Sequence, residues 1–441
     1  MQQLLVTCLQ LAILELFFLR LAAEQLFTTD IETKTVVVIV QASENLMDFS
    51  DLQCHFTWQP EIGDEEKGLN KVKDHLTKTI KYERDMDILC LPLFAYVHCK
   101  IEPRQYDEAL VIVNDYLSKC EKLKSQERNG DSASGYETVG LSNKAFILKE
   151  LGKTDEAQQV LKQITKVEDL NEKAQAAIYG VQAFALSIFG PKNYQKGLDL
   201  YTKAKKLDKN NYMFHFGTGF LSGRIRRIEE GTHTQPTEME EGMFRIACEL
   251  TDWKLPVPIV FLADIIFARG RDFTGSNYED TQALDEAKHF YKMAYKIGSD
   301  SPTVLKISGK GFSILDEEEL GEECLLKAIK LDPYSSQAHH RLGQIYEFGK
   351  NKRNFLLAAK QYEKAVTAGR RRNFFAECDL CRARKKVDVT YNIIMHYDNM
   401  KKHYEFDEKR MEIINSKIKE AKDYQENKRK QAQQKKLPRR Y

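Results

Sequence analysis

Proline is scarce in this chain, 10 residues in 441, and with 30% charged and 42% hydrophobic residues there is little room for long disordered segments. The composition suits a helical protein. An excess of charge of one sign is lacking too: Lys and Arg outnumber Asp and Glu by only 67 to 65. That balance excludes a strongly basic nucleic-acid binder, so any basic site is local. The nine cysteines are scattered without paired spacing, which excludes a disulfide framework and points to reduced thiols in a cytosolic protein. One CxxC, Cys378 and Cys381, has no second pair or histidines at ligand spacing nearby, so no metal site and no cofactor are expected. Walker-type glycine-rich loops, HExxH and GxSxG are all missing, which argues against the common enzyme classes. Cys54 beside His55 is not read as a catalytic pair, because sequence neighbours rarely achieve nucleophile–base geometry.

The first 46 residues stand apart. Leu4 to Ala23 is rich in Leu, Ile and Phe but is interrupted by Glu15 and Arg20. A secretory signal lacks its leading basic residues here, and a membrane span wants about 20 apolar residues with few charges. Two other readings are an extension ahead of a true start at Met47 and an amphipathic helix that packs on the body. The expected division is an apolar leader (1–46), a helical body (47–427) and a basic tail (428–441).

What is there is a periodic packing pattern. Small, large and small residues recur at i, i+4 and i+7: Gly197, Tyr201, Ala204; Ala287, Tyr291, Ala294; Ala358, Tyr362, Ala365. Looser sets are Ala109, Val113, Tyr116; Ala157, Leu161, Ile164; and Gly321, Leu325, Ala328. Such residues share one helix face, where the small ones admit a neighbouring helix and the aromatic fills the space beside it. Partner helices precede several sets, with Leu342, Gly343 and Tyr346 before one and Asn143, Ala145, Leu148 and Gly152 before another. Most neighbouring sets lie about 34 to 48 residues apart, near the tetratricopeptide period. The expected fold is an all-α tetratricopeptide-repeat superhelix, an α-solenoid with inserted helices. The wide gap from 197 to 287 is expected to hide a degenerate repeat around Gly242 to Glu249. Asp332 and Pro333 close one repeat, since proline stops a helix. Met400 to Lys430 is helical in composition, and the acid-free tail beyond it reads as solvated.

The segment Cys54, His55, Phe56, Thr57, Trp58 resembles the N-terminal signature of the interferon-induced proteins with tetratricopeptide repeats. The resemblance continues through Leu93 to Val97, Gly190 to Tyr194 and the repeat holding His339 and His340, over roughly residues 47 to 400. It implies a cytoplasmic protein of antiviral innate immunity that captures the 5′ end, triphosphate or capped, of single-stranded RNA in a basic pocket, without making or breaking a bond. Other repeat proteins of the family are expected partners, and neither a membrane nor DNA is.

Residue by residue, the resemblance implies RNA contacts from Phe184, Tyr194, Arg224, Lys306, His340 and Arg341. Tyr194 matches a pocket tyrosine, Arg224 a phosphate-binding arginine and His340 a histidine. Phe184 replaces a tryptophan, Lys306 an arginine and Arg341 a glutamine. Ile188 stands where the family has a phosphate-binding lysine, a lost charge. Arg370 lies one residue past a basic position, and Lys71, Lys73 and Lys78 compete for the N-terminal contacts. Without the resemblance, Phe184 and Tyr194 read as core, Arg224, Arg226 and Arg227 as a solvated helix end, and the histidines as surface or core. A second hypothesis is a repeat adaptor holding a peptide or partner helix in an open groove. The two differ in where Arg224, Lys306 and Arg341 point: into one cavity, or scattered outward.

Overall fold

The computed structural model describes residues 47–62, 65–126, 130–231, 234–271, 280–369 and 373–436, and their regular structure is helical. The apolar leader and Arg370 lie outside the described residues. A short α1 (His55–Trp58) leads into α2 (Glu65–Tyr82), α3 (Asp87–Lys100), α4 (Tyr106–Lys124), α5 (Gly130–Glu150) and α6 (Thr154–Leu161). Next come α7 (Glu172–Phe189), α8 (Tyr194–Leu207), α9 (Tyr212–Glu229), α10 (Glu238–Leu250), α11 (Pro256–Gly270) and α12 (Thr281–Ile297). The chain ends with α13 (Pro302–Ile314), α14 (Glu318–Leu331), α15 (Ser336–Phe348), α16 (Phe355–Ala368), α17 (Phe374–Val387), α18 (Ile393–Tyr404) and α19 (Glu408–Lys436).

Many helices start where a short polar side chain caps them. Asn171, Asn211, Thr237, Asp280, Ser301, Ser335, Asn354, Asn373 and Asn392 each accept a hydrogen bond from a backbone amide of the first turn. Each such cap satisfies a donor that the helix leaves orphaned. Helices α4, α6, α8, α12, α14 and α16 carry the small–large–small sets, with Ile164 just past the end of α6, and odd-numbered α5, α7 and α9, then α11, α13 and α15, touch one another in sequence to form the second layer.

The packing code closes across the layers. Tyr116, Tyr201, Tyr291 and Tyr362 are all nearly or fully buried, each ring worth about 1.5–3 kcal/mol by analogy with other large side chains. Each faces a glycine of an adjacent helix, the following one for Tyr116, Tyr201 and Tyr291 and the preceding one for Tyr362. A Cβ added at Gly140, Gly217, Gly311 or Gly343 would lie 2.7, 2.3, 2.3 or 2.6 Å from the corresponding ring. Gly217→Ala is therefore expected to destabilise, since overpacking costs about 1–3 kcal/mol against a helix-propensity gain of up to about 1. Gly242→Ala on α10 meets nothing within 4 Å and should stabilise by about 0.5–1 kcal/mol. Thermal melts of the two variants that shift in the same direction would contradict this packing account.

The 197-to-287 gap holds α9, α10 and α11, and Phe244, Ala247 and Cys248 of α10 are buried like a repeat's second helix. Met400–Lys430 is not one helix but two, broken at 405–407, and α19 carries the basic tail on as helix to Lys436. Good helix formers without Gly or Pro fill that stretch. The Cys54–Trp58 segment anchors the N-terminus: Phe56 stacks on Phe146 at 5.0 Å and meets Tyr96 edge-on at 5.1 Å. Burial drives the Cys54 thiol up to about 12 and His55 down to about 3, so neither is poised for chemistry.

Two large cores result, one centred on α3, α7 and α8 and the other on α11 to α16, and Phe220 of α9 packs against both. Helix α2 ties them together. Its Leu69, Val72 and Leu76 join the N-terminal core, while its last turns reach the C-terminal one. Lys78 pairs with Asp332 at 2.8 Å, the Tyr82 hydroxyl donates to the Leu331 carbonyl at 3.3 Å, and the Ser301 hydroxyl donates to Glu83 just beyond the helix. The layer formed by α9, α11, α13 and α15 is thereby faced across the interior by a strut.

Candidate nucleic-acid interface

Lys71, His75, Lys78 and Tyr82 recur at spacings that place them on one face of α2, opposite Leu69, Val72 and Leu76. Because Lys78 and Tyr82 touch Asp332 and Leu331 at the C-terminal end of α14, this stripe looks into the interior. Lys73 is on another face and donates to Gln105 at 3.0 Å. The structure thus separates the three lysines that the sequence left in competition.

Facing the stripe are Arg224 of α9 and Lys306 of α13. Both lie within electrostatic reach of His75, whose imidazole is held down to about 4 by burial first, then by Lys306, Arg224, Lys78 and Lys71. His75 is nonetheless open to water, so it lines a cavity walled by protein. Arg224 donates to the Tyr194 hydroxyl at 2.9 Å, and its guanidinium sits 4.4 Å from the Phe220 ring centroid. Burial also disfavours the charged form of Lys306, with Lys78 adding to it and Asp332 and Glu83 opposing it.

The positive lining continues along α9, α11, α13 and α15. Burial lowers Arg227, as do Arg226 and Arg224. Arg341 is lowered by burial, which Asp264 and Asp379 oppose, and it donates to Gln344 at 2.7 Å. Asp264 is the acid of this wall; burial pushes its carboxyl up, but Lys310 at 2.7 Å and the Tyr291 hydroxyl at 3.1 Å hold it below the usual range. Among the described residues, Arg224, Arg227, Lys306 and Arg341 have no carboxylate at ion-pair distance. Four cations on a protein-lined wall, with acids nearby but none in a direct ion pair with them, are incompletely neutralised, and an arriving polyanion supplies the missing counter-charge.

Of the residues expected from the sequence, Arg224, Lys306 and Arg341 belong to this connected lining, and Tyr194 holds Arg224 in place. Phe184 does not present a free stacking face: it is 6% exposed inside the N-terminal core, where the alanine-rich α7 leaves room for a ring. His340 is spoken for as well. It is buried and lies 2.9 Å from Asp379, which Arg382 also contacts at 2.9 Å. Ile188 is half-buried against the N-terminal core, so the charge missing in sequence is missing in space.

Arg227 was read from the sequence only as part of a solvated helix end, and His75 and the Lys310–Asp264 pair were not singled out. Helical phase carried the signal: Phe220, Arg224 and Arg227 share one face of α9, while Gly219, Gly223 and Arg226 share the face packed on α10. Elsewhere, a surface cleft of about 560 Å³ is lined by Met47, Asp51, Lys166 and Glu168 among others; two acids against one base make it no site for a polyanion. Among the described residues no cluster of three or more metal-ligating side chains occurs and no helix is long and apolar enough to cross a membrane.

No protein-family model matches the chain. It is 24% identical over 307 residues, 67% of its length, to the antiviral innate immune response effector IFIT1 of Macaca fascicularis, and 24% identical over 308 residues to that of Homo sapiens. In both cases it spans 59% of the relative's length. Among solved structures, the human IFIT1 dimer with m7Gppp-AAAA aligns with a TM-score of 0.60 and 20% identity, covering 80% of this chain and 76% of that one. The dimer with PPP-AAAA gives the same TM-score and identity, with 75% of that chain covered. In sequence and in fold the chain is similar to a member of the interferon-induced proteins with tetratricopeptide repeats, the family that the Cys54–Trp58 segment resembles.

Proposed function

We propose that this chain is a cytoplasmic, non-catalytic RNA-binding protein of antiviral innate immunity that captures the phosphorylated 5′ end of single-stranded RNA in its basic interior. The observation that carries the reading is the set of cations without a direct ion-pair partner, Arg224, Arg227, Lys306 and Arg341, on one interior wall faced by Lys71 and Lys78. A triphosphate offers the counter-charges, and charge-assisted hydrogen bonds from arginine are the strong kind. The human relative named above is seen with both a triphosphate and a capped oligonucleotide. The adaptor alternative calls for an open concave face, whereas α2 crosses this one.

The test is binding of the full chain to one labelled single-stranded RNA carrying a 5′ triphosphate, against the same RNA with a 5′ hydroxyl. A preference of at least about tenfold, roughly 1.4 kcal/mol, and a steep loss of affinity with added salt are expected. Equal, weak binding of the two RNAs would sink the reading and leave the adaptor in front.

A further inference from the structure

The cavity holds a group that none of the expected contacts includes. His75 lies in the middle of the inward stripe of α2, one turn from Lys71 on one side and from Lys78 on the other. The stripe is fixed in orientation by the Lys78–Asp332 and Tyr82–Leu331 contacts at its C-terminal end. Across the interior, α9 brings Arg224 and α13 brings Lys306 to the same imidazole. The acids that act on Lys306 are engaged elsewhere, Asp332 with Lys78 and Glu83 with the Ser301 hydroxyl. The imidazole is open to water and lies within electrostatic reach of four cations, so an anion entering among them acts on it directly.

We propose that His75 is a phosphate-binding side chain that takes up a proton from the solvent as the anion enters, so that capture tightens as the pH falls. This rests on the reading of the cavity as an RNA 5′-end site. The chemistry is linkage. In the free protein burial and the four cations keep the imidazole neutral near pH 7, holding it to about 4. A triphosphate placed among those cations reverses the local field, and an opposite charge favours the protonated ring. One proton moves from water or buffer to the free ring nitrogen, and both nitrogens then donate, one of them to a phosphate oxygen. The sign follows: the group's value is higher in the complex than in the free chain, so the added affinity is present below the bound value and is lost as pH rises through it.

The experiment compares the full chain with His75→Gln, which keeps a donor but cannot titrate. Binding of 5′-triphosphate RNA is measured at pH 7.5 and 5.5, with proton uptake read from calorimetry in buffers of different ionisation enthalpy. If the ring returns to its ordinary value near 6.5 in the complex, the affinity ratio of wild type to variant should grow by about tenfold over that interval. Wild type should take up more protons per RNA than the variant, by up to one. Comparing the two proteins cancels the titration of the RNA phosphates themselves. A ratio constant within about a factor of two, with equal proton uptake, overturns the proposal while leaving 5′-end capture standing. Loss of the triphosphate-over-hydroxyl preference in wild type at both pH values overturns both. His75 is exposed, so the variant should melt as wild type does.

Discussion

Charge reversal at Arg224 is expected to weaken capture of 5′-triphosphate RNA at least about a hundredfold, some 2.7 kcal/mol, and to leave weak 5′-hydroxyl RNA binding nearly unchanged. The magnitude has two parts. Arg224→Glu removes charge-assisted hydrogen bonds worth about 1.5–3 kcal/mol, and it sets a carboxylate against the phosphates in a cavity where screening is weak. The native partners of Arg224 are the Tyr194 hydroxyl at 2.9 Å and the Phe220 ring; it is otherwise exposed, so the melt should move little. The fitting control is Lys73→Glu, the same change of charge on α2 at a residue bound to Gln105 and turned out of the interior. Bulk electrostatics would make the two variants equal; a shaped anion site makes Arg224→Glu far worse. Equal losses, or losses shared by the hydroxyl RNA, would remove Arg224 from the site.

How much of this was legible beforehand follows from what periodicity encodes. The tyrosines 201, 291 and 362 and their small neighbours announced the helix pairs because packing demands them at fixed spacing. Gly343 was visible as part of a partner helix, and its close approach to Tyr362 is the physical content of that pattern. The site was legible only in part, because the cavity is made by residues far apart in sequence. Nothing near His75 says that Lys306 lies across from it; the docking of α2 onto Leu331 and Asp332 decides that. Phe184 and Tyr194 show the same limit from the other side. Both match pocket positions by resemblance, yet one is absorbed by the core and the other positions an arginine. The three basic residues 224, 226 and 227 read alike as a helix end, and only the helical phase divides the buried Arg226 from its neighbours.

That division supports the second large effect. Glu240→Ala should destabilise the α9–α10 region by about 3–5 kcal/mol, because removing one partner of a buried ion pair strands the other charge. Glu240 is 1% exposed and grips Arg226 through two oxygens, at 2.7 and 3.1 Å. The remaining donor of Arg226 goes to the Thr234 carbonyl and hydroxyl, both at 2.7 Å. Glu240 also closes the Thr237 capping box of α10, so alanine removes a cap and a counter-ion together. The carboxylate packs directly on Gly223, where a Cβ would come within 2.7 Å of it, so alanine also leaves a void at this contact. Repeat arrays need not unfold in one step, so the informative readout is hydrogen exchange, with protection lost in α9 and α10 before α15 and α16. Arg226→Met combined with Glu240→Leu should recover much of the loss, since a buried pair exchanged for apolar groups is often neutral. Arg226 sits between Arg224 and Arg227 on the same turn, so Glu240→Ala should also weaken 5′-triphosphate RNA binding, and the double variant should restore it. Full protection in Glu240→Ala would show that the pair contributes nothing to the register of the cavity wall.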